Sequence, residues 1–369
     1  MKTLLDFNLR ESPFQYITPI PGQGFGEPIP WAGMPDTKEK ISRVYSNLVK
    51  NLPRQVILNW GPYGGGKTFT AYHFMDNYDC SIDICQVYIR CPKQGSKASL
   101  EFYRSIIDFL SFRKIHNQIR KMIELLGEDK FFNFIYSRIR SEEITNAIIL
   151  IGSNDENTKQ LMHRYVYDGL TKIELKKVGL PKNIDWGSDR IKFLSGVISS
   201  FIGDQDRYEG RFVLWLDEME DMVYYSQKEY KAFSQVLRDL MDSVNQYFAV
   251  FMNFTFAEPE EKTIELLLGG ALWSRINTKI RFKELSKEDA LEYCNQLIYH
   301  YQADKKKKNV PFTNEILQMV FEFIPNEKLT PREINRYCNN VLNQAMDTDA
   351  AEISIATVAM SFEQIVEEE

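Results

Sequence analysis

Gly61-Pro62-Tyr63-Gly64-Gly65-Gly66-Lys67-Thr68 decides how the rest of this sequence is read. The spacing is G-x-x-x-x-G-K-T. It follows an apolar run at residues 55–60 and precedes a helical stretch at residues 69–75, which is the setting the pattern needs. Glycines let the backbone curl until successive N–H groups point inward, at the positive end of a helix, where phosphate oxygens bind. Lys67 then reaches the β- and γ-phosphates, and Thr68 offers its hydroxyl to Mg²⁺. The expected phosphate-binding segment is the eight residues quoted, together with Phe69.

A second signal lies at Phe212-Val213-Leu214-Trp215-Leu216-Asp217-Glu218. An acidic pair closing a buried strand has no packing purpose, because an unpartnered buried charge is costly. Beside a phosphate loop it has one. Asp217 is expected to hold Mg²⁺, and Glu218 to orient and deprotonate the attacking water. Glu220 and Asp221 read as a solvated helix start.

Around these two stretches the chain alternates between strand and helix patterns. Apolar runs at 55–60, 86–91, 212–216, 247–253 and 278–282 suit parallel strands buried on both faces. Residues 226–247 carry an apolar helical face, with Ser226 and Glu229 as a capping box. Helical spacing also covers 100–126, 129–140 and 158–175, a helical insertion between the second and third strands. After Phe282 the strand signal stops. Ser286 with Asp289 caps a helix, and further helices are expected near 314–323, 331–346 and 353–365. Thr330-Pro331-Arg332-Glu333 reads as a capped helix start with a closing capping box. The fold class is α/β: a five-stranded, mostly parallel sheet flanked by helices at 1–285, with the insertion at about 95–205, and a small all-helical domain at 286–369.

Composition narrows the function classes. The 369 residues are 44% hydrophobic and 26% charged, so a full core is available and wholesale disorder is excluded. With 45 basic against 51 acidic residues the net charge is −6, so any contact with nucleic acid must be local. One local basic face runs from Arg113 to Lys121, and a lysine run lies at residues 305–308. No run is long and apolar enough to span a membrane, and Asp6 and Glu11 interrupt the start where a secretory apolar stretch would sit. Cys80, Cys85, Cys91, Cys294 and Cys338 read as free thiols in a reducing compartment, so a cytoplasmic location is expected. The first three cysteines lack the paired spacing of a zinc site.

Taken together, the phosphate loop, the Asp217-Glu218 strand end and the helical C-terminal region resemble the AAA+ ATPases of the P-loop superfamily. Within them the likeness is to the initiator-like group of origin-recognition and helicase-loading proteins. The resemblance implies ATP and Mg²⁺ as cofactors and three further site residues. Asn253 stands where the family senses the γ-phosphate, with Thr255 as the other candidate. Arg275, before the last strand, stands where the family's arginine enters a neighbouring subunit's ATP site, with Arg281 as a weaker choice. Arg332 stands where the family's lid arginine contacts the γ-phosphate. Two features depart from the pattern. Trp31-Ala32-Gly33-Met34 has methionine where an arginine is common, and no winged helix follows the lid.

The function expected on these grounds is an ATP-hydrolysing switch that forms homo-oligomers through Arg275 and acts in a DNA transaction, as a loader or a transposition regulator. The alternative is the ATPase of a defence or signalling complex that controls a partner protein through the insertion. A third reading is a scaffold that holds ATP statically, against which an intact Glu218 argues.

Overall fold

The computed structural model describes residues 2–14, 30–50, 53–78, 81–184, 187–256, 261–307, 311–325 and 328–368. Cys80 and Lys308 lie outside them. The five apolar runs form β1 (Gln55–Gly61), β2 (Asp83–Arg90), β3 (Gly210–Asp217), β4 (Phe248–Thr255) and β5 (Thr278–Arg281). They pair in parallel throughout, in the order β2-β3-β4-β1-β5. The three central strands are buried along their lengths apart from Thr255, while β2 and β5 at the edges carry exposed residues. That difference follows from helices covering both faces of the sheet but not its edges.

Alternation along each strand divides the core. On one face Ile57, Val213, Trp215 and Phe251 pack under α1 (Pro35–Val49) and α2 (Lys67–Asn77). Trp215 stacks on its register partner Phe251, with ring centroids 3.8 Å apart. On the other face Val56, Leu58, Leu214 and Val250 belong to a cluster that runs on into the insertion. The insertion comprises α3 (Ala98–Leu110), α4 (Phe112–Leu126), α5 (Glu128–Ile139), α6 (Glu142–Ile151), α7 (Glu156–Tyr167), α8 (Lys172–Lys177) and α9 (Ser188–Ile202). The same face carries α10 (Gln227–Ser243) and α11 (Glu261–Trp273), the latter kinked at Gly269.

Three segments depart from the sequence expectation. The spacing across 100–126 predicts one helix, but Ser111 adopts φ 59° and divides it into α3 and α4. The spacing across 158–175 is broken at Gly169, φ 82°, between α7 and α8. The helix expected to reach 247 ends at Ser243, where Val244 leaves the helical region at φ −113°, ψ 85° and Tyr247 takes φ 57°. Apolar spacing records which face is buried. It is blind to a single residue that reverses the backbone while keeping the next face in phase.

The C-terminal helices are α12 (Lys287–Tyr301), α13 (Asn314–Phe323), α14 (Pro331–Asp347) and α15 (Ile355–Glu368). They share a core that includes Leu317, Val341 and Leu342, and Phe7, Leu9 and Phe14 from the chain start are buried in it. The Arg10 N–H donates to the Tyr301 carbonyl at 3.0 Å, tying that segment to α12. Thr330 caps α14 by accepting from the Glu333 N–H, but the return bond of a capping box is not made. The Glu333 carboxylate goes to Arg336 at 2.6 Å instead, and the Thr330 N–H donates to the Lys328 carbonyl.

Gly61 joins the strand to the glycine-rich loop at a point of close backbone approach. A Cβ there would sit 2.3 Å from the Phe282 carbonyl oxygen and 2.7 Å from its Cβ. Neither neighbour is the far end of a flexible side chain. Gly61→Ala is therefore expected to destabilise the fold by about 1–3 kcal/mol or more, the range for overpacking. The urea midpoint reads this directly, and an unchanged midpoint would refute the account.

Candidate nucleotide-binding cleft

The carboxyl ends of β1, β3 and β4 open into a cleft roofed by α12 and the first turn of α14. Open parallel sheets bind ligands at this end. Gly64 and Gly66, at φ 75° and 94°, make the turn that starts α2 at Lys67. Gly64 also lies under the lid, since a Cβ on it would come within 2.7 Å of the Arg332 Cβ. Tyr63 through Phe69 line the cleft. Gly61 and Pro62 act from behind, their carbonyls accepting from Lys67 Nζ at 3.0 and 2.7 Å. An ammonium has three donors, and the third has no partner among the described residues. Burial pushes the Lys67 ammonium down to about 8; Asp217 and Glu220 oppose that shift and Arg332 adds to it.

Asp217 is held from three sides. Thr68 Oγ1 donates to Oδ2 at 2.6 Å, the Tyr88 hydroxyl donates to the same oxygen at 2.7 Å, and the Glu218 N–H donates to Oδ1 at 3.0 Å. The hydroxyl and carboxylate assigned to Mg²⁺ from the sequence are thus in contact. Two hard oxygen donors suit this ion, which takes its remaining ligands from water and phosphate. Among the described residues no group of three or more His, Cys, Asp and Glu side chains converges on a metal position.

Glu218 takes φ 57° as the chain leaves β3 for a short 3₁₀ turn, Met219–Tyr224. That places its half-exposed carboxylate on the cleft wall, 3.5 Å from Arg90 Nε. Glu220 is not the solvated residue expected from the sequence. It lines the cleft, is partly buried, and accepts from the Thr255 N–H at 2.9 Å. Burial raises its carboxyl above the ordinary range. Tyr88 and Arg90 on the sheet side, and Tyr293, Tyr301 and Asn335 on the helical side, are cleft residues that sequence reasoning did not single out.

The remaining assignments are spread over three places. Asn253 is fully buried beside its register partner Asn59, whose Nδ2 donates to Asn253 Oδ1 at 2.9 Å. Asn59 Oδ1 and Asn253 Nδ2 have no partner among the described residues. It is Thr255, two residues on, that reaches the cleft wall. Arg332 does reach it: its N–H donates to the Gly64 carbonyl at 3.3 Å, its guanidinium lies 4.0 Å over the Tyr63 ring, and its Nε has no partner among the described residues. Arg275 lies at the opposite, amino-terminal end of the strands. It grips Asp242 with Nε at 2.9 Å and Nη2 at 2.6 Å, and the Asp242 carboxyl is lowered mainly by that contact. Arg281 pairs in register with Trp60 on the sheet edge.

Away from the glycine-rich loop the cleft turns apolar, lined by Pro30, Ala32, Met34, Tyr293, Leu297 and Tyr301. Gln296 Oε1 accepts from the Gly33 N–H at 2.8 Å and fixes this wall to α12. A slot with polar donors at one end and flat apolar walls at the other fits a nucleotide.

No family model matches the sequence, and no curated protein matches it. Solved structures do share its fold. The Aeropyrum pernix ORC1 protein in complex with DNA matches over 99% of this chain and 71% of its own, at 10% identity and a TM-score of 0.52. Drosophila ORC bound to DNA matches over 97% of this chain and 67% of its own, at 11% identity and a TM-score of 0.50. At such identities the likeness is one of fold: a parallel sheet covered by helices, followed by a helical domain, as in those two structures. No helix among the described residues is long and apolar enough to cross a membrane.

Proposed function

We propose that this chain, built on the AAA+ fold of the initiator proteins, is a cytoplasmic ATP-binding and ATP-hydrolysing switch that assembles with ATP and acts on DNA. One observation carries the reading: Lys67, the Thr68–Asp217 pair, Glu218 and Arg332, drawn from sheet and lid, face a single cleft. Backbone N–H groups of the phosphate loop and the free donor of Lys67 hold the phosphates. Arg332 leaves the Tyr63 ring for the terminal phosphate and so draws α14 toward the loop, a differential contact that favours one lid position. Thr68 and Asp217 would hold Mg²⁺, which would supply positive charge against the phosphates. Glu218 orients a water on the cleft wall and takes its proton. Thr255 and Glu220 fix the β4 tip opposite, with Asn253 behind them. The DNA part of the reading is supported by the two solved relatives, both captured with DNA.

In-trans completion of the site requires Arg275 to leave Asp242 for a neighbour's phosphate, which a rigid fork of donors suits. Arg275→Ala is expected to spare ATP affinity of the monomer and to cut turnover of the assembled protein about 10- to 100-fold. That range corresponds to losing a hydrogen bond to a charged group. The test is mass in solution with and without ATP, with turnover measured at each mass and with and without duplex DNA. ATP-dependent assembly and turnover raised by DNA support the proposal. A monomer under every condition removes the role of Arg275. Turnover indifferent to DNA but raised by a protein docking on residues 98–202 gives the defence or signalling reading.

A further inference from the structure

At the far end of β2 from the nucleotide cleft, a cavity of about 430 Å³ opens between the edge of the sheet and α4. Seven strand steps, roughly 23 Å at 3.3 Å each, separate Asp83 at this cavity from Arg90 beside Glu218. Its cationic walls are Arg113, Lys114 and Lys121, all exposed on one side of α4, with Asn117 between them. None of the three cations makes an ion pair with a carboxylate among the described residues. Lys114 lies 5.8 Å from the Phe201 ring centre and Lys121 lies 4.1 Å from that of Tyr208. The aromatic rings hold the two side chains against the cavity wall; Lys114 also reaches the Cys85 thiol, and an ammonium has further donors for an anion. Asp83 is the lining carboxylate, and it is already engaged by the Tyr208 hydroxyl at 2.7 Å.

Stability does not explain this arrangement. The first turn of α4 contains Arg113 and Lys114 and no acidic residue, although the positive end of a helix favours carboxylates there. Like charges also crowd one face of a chain whose net charge is −6. Such a face is relieved by an anion from outside. The cations do not converge on one point but are strung over about 12 Å of helix, at 1.5 Å rise per residue. That length matches three to four nucleotide steps of about 3.4 Å, so a repeating polyanion fits better than a single phosphate group.

We infer that the Arg113–Lys114–Lys121 face of α4 is a contact site for the phosphodiester backbone of DNA, separate from the nucleotide cleft. The inference rests on the DNA-acting reading above and gives it a location. Three phosphate contacts contribute a slope of about −2.7 to the dependence of log affinity on log salt, at roughly −0.9 each. Backbone contacts carry no base information, so unrelated duplex sequences bind alike through this face.

The test is a salt titration of binding to mixed-sequence 30-base-pair duplexes. It compares wild type, the Arg113→Ala/Lys114→Ala/Lys121→Ala variant and the Lys121→Ala variant, each with ATP present. A control removes Lys172, Lys176 and Lys177 from α8, an equal loss of charge elsewhere on the insertion. The triple variant should flatten the slope by about two to three units and weaken binding at least tenfold at low salt. Lys121→Ala should flatten it by about one. ATP affinity and basal turnover should match wild type, since none of these residues touches the cleft. Wild-type slopes in the triple variant, or an equal loss in the α8 control, overturn the site while leaving the DNA reading intact. Wild-type protein that binds no duplex overturns both.

Discussion

Glu218→Gln should lower kcat for ATP hydrolysis about 10²- to 10⁴-fold, the contribution of a positioned general base, while ATP affinity stays within a few-fold. The substitution keeps the shape of the side chain and its reach to Arg90, 3.5 Å away, but removes the site that accepts the proton. Backbone geometry is not at stake, because glutamine meets φ 57° with no more strain than glutamate already bears. Asp217 keeps its three donors, one of them the Glu218 N–H, which the change does not touch. A fall in kcat with an unchanged dissociation constant is therefore the signature of lost chemistry rather than lost binding. Steady-state turnover and a fluorescent-nucleotide titration measure the two quantities separately. The outcome that sinks the assignment is turnover within a few-fold of wild type. Besides Asp217, which keeps its three donors, Glu220 is the remaining carboxylate in the cleft lining, and Glu220→Gln would then show the loss instead.

The two carboxylates also mark where the sequence stops being legible. Asp217-Glu218 is visible because a buried strand ending in charge is anomalous in one dimension. Glu220 is invisible because its engagement depends on the tip of β4, at Thr255, thirty-five positions on. Strand identity survives from pattern alone, since the apolar runs are short and the turns between them polar. Strand ends do not. The run closing at Asn253 continues to Thr255 in β4, and those two residues decide which side chain reaches the cleft and which is sealed against Asn59. Tyr88 and Arg90 read as ordinary strand residues until β2 is known to lie beside β3, with Arg90 in register with Asp217. The position of Arg275 before β5 is readable, but its grip on Asp242 joins residues thirty-three positions apart. Motifs carry information local to a turn. Sheet order and register carry the rest, and no single sequence displays them.

Lys67→Ala should weaken ATP binding about 10²-fold or more, consistent with removing one partner of a desolvated charge pair. Lys67 as a whole is nearly inaccessible, at 5% exposure, and in the free protein its ammonium is satisfied mainly by its own loop's carbonyls. A triphosphate supplies the opposite charge that burial denies it, so the phosphates and the protonated lysine stabilise each other. That coupling has a sign. The free protein holds Lys67 near 8, well below an ordinary lysine, because burial disfavours the charge. Bound phosphate favours the charge and raises the value in the complex, so binding takes up a proton wherever the free lysine is neutral. Affinity should be nearly flat below pH 7, then fall as pH rises above 8, by up to about tenfold per unit. The fall ends where the lysine of the complex itself titrates. Lys67→Ala should bind weakly at every pH and lose this slope, with an unfolding midpoint measured alongside because two loop carbonyls lose their donor. Wild-type affinity that is level from pH 7 to 9.5, or a variant that keeps the slope, would place the phosphates away from Lys67 and dismantle the cleft as drawn.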